Sequence, residues 1–335
     1  MLPTHDISSF LDNPASEEGR AFVTALLETC HDPGFFYLVG HGISADRNNE
    51  MIEVARRFFV LPENERHRMA IANSPHFRGY TVLGDEVTAG RRDWRDQLDI
   101  GPEEPALTLG SGDPPWLRLR GPNQWPDSLP EMRPAVVSWM GEIQSLGLAI
   151  IRALAMGLGQ SMDFFDHAVS PDPYTRLKIV RYPARSADAY TGQGLGLHHD
   201  SGLVTLILQD EVPGLQVENN GRLFEVEPVP GAYVVNLGEM LQVASNGYLR
   251  ATKHRVESPP PGKQRISIAY FMNPRLDAVF KPVSLPPELE TRASGGQNTD
   301  PDDPVYPVFG DNTLKIRMRA HPDVVARHYN GTNPY

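Results

Sequence analysis

His198, Asp200, His254, Arg265 and Ser267 are the residues through which this 335-residue chain could do chemistry. His198 and Asp200 stand two apart in Gly194-Leu195-Gly196-Leu197-His198-His199-Asp200-Ser201-Gly202. Alternate side chains of a strand share a face, so 198 and 200 converge while His199 points oppositely and is read as structural. A third strand delivering His254, from Thr252-Lys253-His254-Arg255-Val256, would set two nitrogens and one oxygen on one side of an ion and leave positions open on the other. That facial set suits Fe(II). The same parity groups Arg265, Ser267, Ala269 and Phe271 on one face, with Ile266, Ile268 and Tyr270 on the other. A guanidinium beside a hydroxyl on an otherwise apolar wall predicts a buried carboxylate ligand.

The elements that must position these residues fall into two textures. Residues 16–30 and 45–60 carry helical apolar stripes (Phe22, Leu26, Cys30; Met51, Val54, Ala55, Phe58), and Phe35 to Val39 between them reads as a strand bounded by Gly34 and Gly40. After a proline-rich passage at 102–130, the spacing predicts a long helix over 131–159. Beyond Gly159 come short strands punctuated by Gly, Pro and Asn: 176–182, 196–209, 214–217, 232–237, 253–257 and 265–273. Such spacing argues for a sandwich or barrel. A final helical pattern spans 312–329, after a second proline-rich stretch at 286–307. The expected organisation is one compact unit: an N-terminal helical and strand region over 1–110, then a β core with its long and C-terminal helices over 111–335, the metal-binding part at about 175–275.

A formal net charge of -11, with no basic run, argues against nucleic acid as a partner. Cys30 is the lone cysteine, which excludes an internal disulfide and a cysteine-held zinc. No apolar run approaches the roughly 20 residues that span a bilayer, and the first residues lack the layout of a secretory leader. The expectation is a cytoplasmic monomer with no membrane partner.

With these residues in place, the chain resembles the isopenicillin N synthase-like branch of the Fe(II)- and 2-oxoglutarate-dependent dioxygenases. The likeness runs through Asp6-Ile7-Ser8, Gly34-Phe35-Phe36-Tyr37-Leu38, His41-Gly42-Ile43, Leu61-Pro62, Gly79-Tyr80, Asp93-Trp94, Trp125-Pro126, Tyr182-Pro183, the His198 motif, Val235-Asn236-Leu237-Gly238, Ser245-Asn246-Gly247 and His254-Arg255-Val256. The resemblance implies a double-stranded β-helix, or jelly roll, buttressed by helices. It also implies His198, Asp200 and His254 as iron ligands, and Arg265, Ser267 and Tyr182 as the grip on 2-oxoglutarate. Turnover would consume O2 and release succinate and CO2 while oxidising a C–H bond of a small molecule, by hydroxylation, desaturation or ring formation in secondary metabolism. One departure stands out: Val180 replaces the asparagine common before Tyr-Pro in this family.

The substrate is expected between the segment 76–94, Phe271 and the C-terminal helix. Arg78, Tyr80 and Trp94, with Arg91, Arg92 and Arg95, are the candidates to hold an acidic or polar molecule. Three rival readings remain at this stage. They are an isopenicillin N synthase-type oxidase that uses no keto acid, a zinc hydrolase, against which no His-Glu-X-X-His helix is present, and a non-catalytic binding protein on the same scaffold.

Overall fold

The computed structural model describes residues 2–88, 90–186, 193–295 and 305–329, so part of the second proline-rich stretch, 296–304, lies outside the described residues. In chain order the strands are β1 (Thr4–Asp6), β2 (Phe35–Val39), β3 (Gly79–Thr81), β4 (Val87–Thr88), β5 (Arg91–Arg92), β6 (Asp96–Ile100) and β7 (Arg176–Tyr182). They continue with β8 (Gln193–His198), β9 (Val204–Gln209), β10 (Leu215–Asn219), β11 (Arg222–Glu225), β12 (Tyr233–Leu237), β13 (His254–Glu257) and β14 (Arg265–Met272). An eight-stranded sheet runs β1-β2-β12-β9-β14-β7-β6-β3, and a four-stranded sheet runs β11-β10-β13-β8. Their facing surfaces close the jelly roll. Val180, Tyr182, Ile207 and Val234 of the large sheet meet Leu195, Leu215, Val217 and Val256 of the small one.

Alternation along each strand creates a second core outside the barrel. Leu177 and Ile179 of β7, with Ile266, Ile268 and Tyr270 of β14, point away from the barrel interior and pack under the helices. The helix Met132–Gly157 lays Val136, Trp139, Ile143, Ile150 and Leu154 on this face. Each such side chain contributes about 1.5–3 kcal/mol through burial. Contrary to the expectation from the sequence, this helix is long and apolar enough to cross a membrane by length and composition alone (26 residues, mean hydropathy 1.3 over its most apolar window). Here it serves as the core helix of the fold.

The N-terminal strands β1 and β2 extend the large sheet beside β12, and β6 and β3 extend it beside β7, so the first hundred residues share one sheet with the barrel. Helices Glu17–His31 and Ala45–Phe59 start where Ser16 and Ser44 accept from the backbone N–H of Gly19 and Arg47. The C-terminal pattern is two helices, Phe309–Ala320 and Pro322–His328. Pro322 has no N–H to continue the first helix and suits the first turn of the second. The break at His321 turns its side chain into the protein, where it is buried.

Candidate active site

The strand expected over 196–209 is interrupted. β8 ends at His198 in the small sheet, and β9 begins at Val204 in the large one. Asp200 therefore lies on the crossing between sheets, and strand parity is not what aims it. Two other contacts do so. The Asp200 carbonyl accepts from Glu239 N–H (2.8 Å) and the Gly202 carbonyl from Met240 N–H (3.1 Å), which docks the crossing on the start of helix Glu239–Ala244. A Cβ on Gly238 would stand 2.3 Å from the Gly202 oxygen, so only glycine permits this approach.

His254 faces His198 across the β13–β8 pairing, and their rings lie 4.3 Å apart. One ligand atom from each of His198, Asp200 and His254 falls within 4.8 Å of the other two. Asp200 Oδ1 is 3.7 Å from His198 Nε2 and 3.9 Å from His254 Nε2. Each Nδ1 lies against a backbone carbonyl, Gly196 at 2.9 Å and Thr252 at 3.2 Å. A carbonyl only accepts, so Nδ1 carries the proton and the Nε2 lone pairs face the carboxylate. Asp200 Oδ2 is occupied by Thr205 Oγ1 (2.5 Å) and Asn236 Nδ2 (2.7 Å), which leaves Oδ1 for an ion. Burial raises the Asp200 pKa, but the two imidazoles and these two donors outweigh it and hold the carboxyl below its ordinary value. His198 is depressed to about 3 by burial and by His254. The donor set is thus a carboxylate and two imidazoles oriented towards a common point, which fits an oxygen- and nitrogen-liganded iron. His199 takes no part, its Nδ1 lying 3.8 Å from Glu239.

Deeper in the barrel, Arg265 pairs in register with Tyr182, and its guanidinium carbon stands 5.3 Å from the Tyr182 ring centre. Arg265 is 1 % exposed. Nε donates to the Val212 carbonyl and Nη2 to Gln209 Oε1, while Nη1 is buried with no hydrogen-bond partner. Ser267 is buried on the same face of β14. A Cβ on Gly194 would stand 2.9 Å from the Tyr182 ring, so β8 closes tightly over this end.

Residues 2–128 match a sequence profile described as non-haem dioxygenase in morphine synthesis N-terminal, and residues 174–274 match the 2OG-Fe(II) oxygenase superfamily. A homoarginine-6-hydroxylase of Arabidopsis thaliana is 34% identical over 88% of this chain and 91% of its own. A 2-oxoglutarate-dependent dioxygenase of Dothideomycetidae sp. is 33% identical over 92% and 87%. The chain belongs to the 2OG-Fe(II) oxygenase superfamily. Among solved structures, a full-length Neurospora crassa protein in complex with alpha-KG and 5-formyluracil superposes with a TM-score of 0.76, at 25% identity over 95% of this chain and 96% of that one. JOX2 in complex with 2OG, Fe and JA gives 0.72, at 28% identity over 94% and 85%. The oxygenase is therefore an oxidoreductase that uses Fe(II), 2-oxoglutarate and O2 on small molecules.

The mouth of the oxygenase's barrel is more polar than the sequence suggested. Glu86 is buried and pairs with Lys178 Nζ (3.2 Å) and Arg95 Nη2 (2.5 Å), with His321 Nε2 3.3 Å away. Asp99 takes Arg317 Nη1 (3.0 Å) and Lys178 Nζ (3.5 Å). Burial raises both carboxyls, yet the cations prevail, leaving Glu86 well below its usual range and Asp99 at about 2. The C-terminal helix Phe309–Ala320 and the residue after it reach this cluster through Arg317 and His321.

Several expected substrate contacts are placed elsewhere. Tyr80 pairs in register with Leu98 on the outer face of the sheet, where its hydroxyl donates to Asp96 Oδ2 (2.7 Å) and accepts from Arg66 (2.7 Å). Arg95 is an internal ion-pair partner of Glu86 and Asp93, and Arg91 and Arg92 are exposed on the β4–β5 hairpin. Arg78 is buried against Tyr174 and Gly101. Trp94 flanks β8 through its backbone N–H, which donates to the Gln193 carbonyl, with Arg185 4.0 Å above its ring. Phe271 does share the interior face with Arg265 and Ser267. Asn236 and Thr205, which fix Asp200, were not singled out from sequence for this role; Asn236 appeared only inside the Val235-Asn236-Leu237-Gly238 likeness.

Proposed function

We propose that His198, Asp200 and His254 hold the iron, and that Arg265 with Ser267 and Tyr182 holds the distal carboxylate of 2-oxoglutarate. The observation that carries this is the placement of the buried, partly unpartnered Arg265 relative to the triad. Thr205, bonded to Asp200, and Gln209, bonded to Arg265, stand four residues apart on β9, about 13 Å along the strand. Ligation at one end and the arginine side chain at the other shorten that gap to the reach of an extended five-carbon diacid. Ile207 and Val180 line the span and keep it dry. When bound, the iron, keto acid and O2 together supply the oxidant that removes hydrogen from a C–H bond. The chain's own part is to orient: Arg265 neutralises and aligns one carboxylate with a rigid fork, and Asn236 and Thr205 aim the other ligand.

Hydroxylation is the outcome we favour, because the relatives described above include a named hydroxylase. We also infer a cytoplasmic monomer, supported by the acidic charge and the single, buried cysteine. The test is succinate release with Fe(II), ascorbate and O2 across candidate substrates. His198→Ala abolishes turnover. Full activity in that variant would point to His199 instead, and substrate oxidation without any need for 2-oxoglutarate would return the isopenicillin N synthase-type reading.

A further inference from the structure

The barrel mouth gathers positive charge in a chain whose net charge is -11. Arg95, Lys178 and Arg317 lie there against the carboxylates Glu86, Asp93 and Asp99, with Arg176 and Arg78 close by. Arg95, Lys178 and Arg317 are matched by those carboxylates. Arg78 is held by the Tyr174 hydroxyl (3.3 Å) and the Leu119 carbonyl (3.4 Å). Arg176 differs from all of them. It stands on the interior face of β7 with its guanidinium carbon 5.0 Å from the Phe271 ring centre. Its Nε is buried without a hydrogen-bond partner, and among the described residues no carboxylate pairs with it. Burial is the largest influence disfavouring its charge, with Arg317 and Arg78 adding to it, and Asp99 and Tyr174 nearby offset this only in part without forming an ion pair. A cation held in this way gains most from an anion that arrives with the ligand.

Register places Arg176 relative to the metal ligands. Phe271 pairs with Arg176 on one side and with Thr205 on the other, and Thr205 donates to Asp200. Two strand spacings separate Arg176 from Thr205, about 10 Å between backbones. Arg265 is six residues from Phe271 along β14, about 20 Å away, so the two arginines cannot share one carboxylate. We propose that Arg176, seated on Phe271, binds a carboxylate of the substrate, so that the oxygenase takes small organic acids, amino acids among them, and oxidises a carbon several bonds from the acid group. A carboxylate matches the fork of a single guanidinium, whereas Glu86 and Asp99 close by disfavour a more highly charged group. The proposal rests on the iron and 2-oxoglutarate assignment above.

The experiment is calorimetric binding to the anaerobic Fe(II)- and 2-oxoglutarate-loaded protein. The probes are L-homoarginine, 4-phenylbutanoic acid and the carboxamide of each. At least one acid binds more than tenfold tighter than its amide, and Arg176→Gln weakens that acid roughly 10- to 100-fold, as expected for loss of hydrogen bonds to a charged group. Arg176→Lys restores part of the loss, and amide binding changes less than about twofold. Retained 2-oxoglutarate affinity in Arg176→Gln shows that the barrel is intact. Amides that bind as well as acids, acids that do not bind, or an acid affinity untouched in Arg176→Gln would each overturn the proposal. Failure of the unaltered protein to bind 2-oxoglutarate would instead sink the cosubstrate assignment.

Discussion

Asn236→Ala isolates what Asp200, the proposed carboxylate ligand, owes to its support. Asn236 is 0 % exposed and lies in the middle of the sheet, paired in register with Thr205. Its Nδ2 donates to Asp200 Oδ2 at 2.7 Å. A buried hydrogen bond to a charged group contributes about 1.5–3 kcal/mol, and loss of an outer partner of a metal ligand lowers affinity about 10- to 100-fold. The two figures agree, because about 1.4 kcal/mol is one decade. Fe(II) affinity, measured by anaerobic titration, is therefore expected to fall 10- to 100-fold in Asn236→Ala. The backbone ladder of β12 to β2 and β9 is untouched, so thermal unfolding of the metal-free protein shifts little by comparison. Thr205→Val removes the second donor, at 2.5 Å, and predicts a loss of similar size. Both donors serve one oxygen, so the double variant should depart from additivity and bind less than the product of the single effects predicts. Asn236→Asp keeps the shape but replaces a donor with a second carboxylate against Asp200, and should bind iron least of the single variants. Iron affinity within twofold of the parent in Asn236→Ala would refute the account, since Asp200 would then be aimed by its backbone alone.

Two further outcomes follow from the same geometry. Gly238→Ala drives a Cβ to 2.3 Å from the Gly202 carbonyl and must displace the crossing that carries Asp200; Fe(II) titration should show a greater loss than in Asn236→Ala, and unchanged binding would mean the crossing yields freely. Arg265→Lys exchanges a rigid fork for a point charge beside Tyr182; 2-oxoglutarate affinity is expected to drop at least tenfold while iron affinity holds, and equal 2-oxoglutarate affinity in the two proteins would remove Arg265 as the anchor.

The sequence showed the fold through its periodicities because burial imposes them: β7, β2 and the helix cores lie where the patterns put them. The triad was legible for a different reason than parity supplied. Parity chose His198 with Asp200 on the premise of one continuous strand, yet the strand stops at His198, and the pair meets because Gly202 passes close to Gly238. Glycine marks such an approach only when its partner, here 36 positions away, is already known. Loop arginines misled in the same manner. Arg95 reads as free until Glu86 is seen folded onto it, and Lys178, 92 positions from Glu86, completes a cluster that no local pattern foretells.

The contrast between Lys178 and Arg176 shows what the fold adds to a list of charged residues. Arg176 sits two residues before Lys178 on the same interior row of β7. The structure separates them by their ion pairs: Lys178 pairs with Glu86 and Asp99, whereas Arg176, with Asp99 near but unpaired to it, faces an aromatic ring. A matched buried cation contributes to fixing the mouth, and an unmatched one there is a demand for an incoming anion. In the proposed assignment, substrate choice follows from Arg176, which has no ion-pair partner among the described residues, and the triad and Arg265 set where along the bound molecule oxidation occurs.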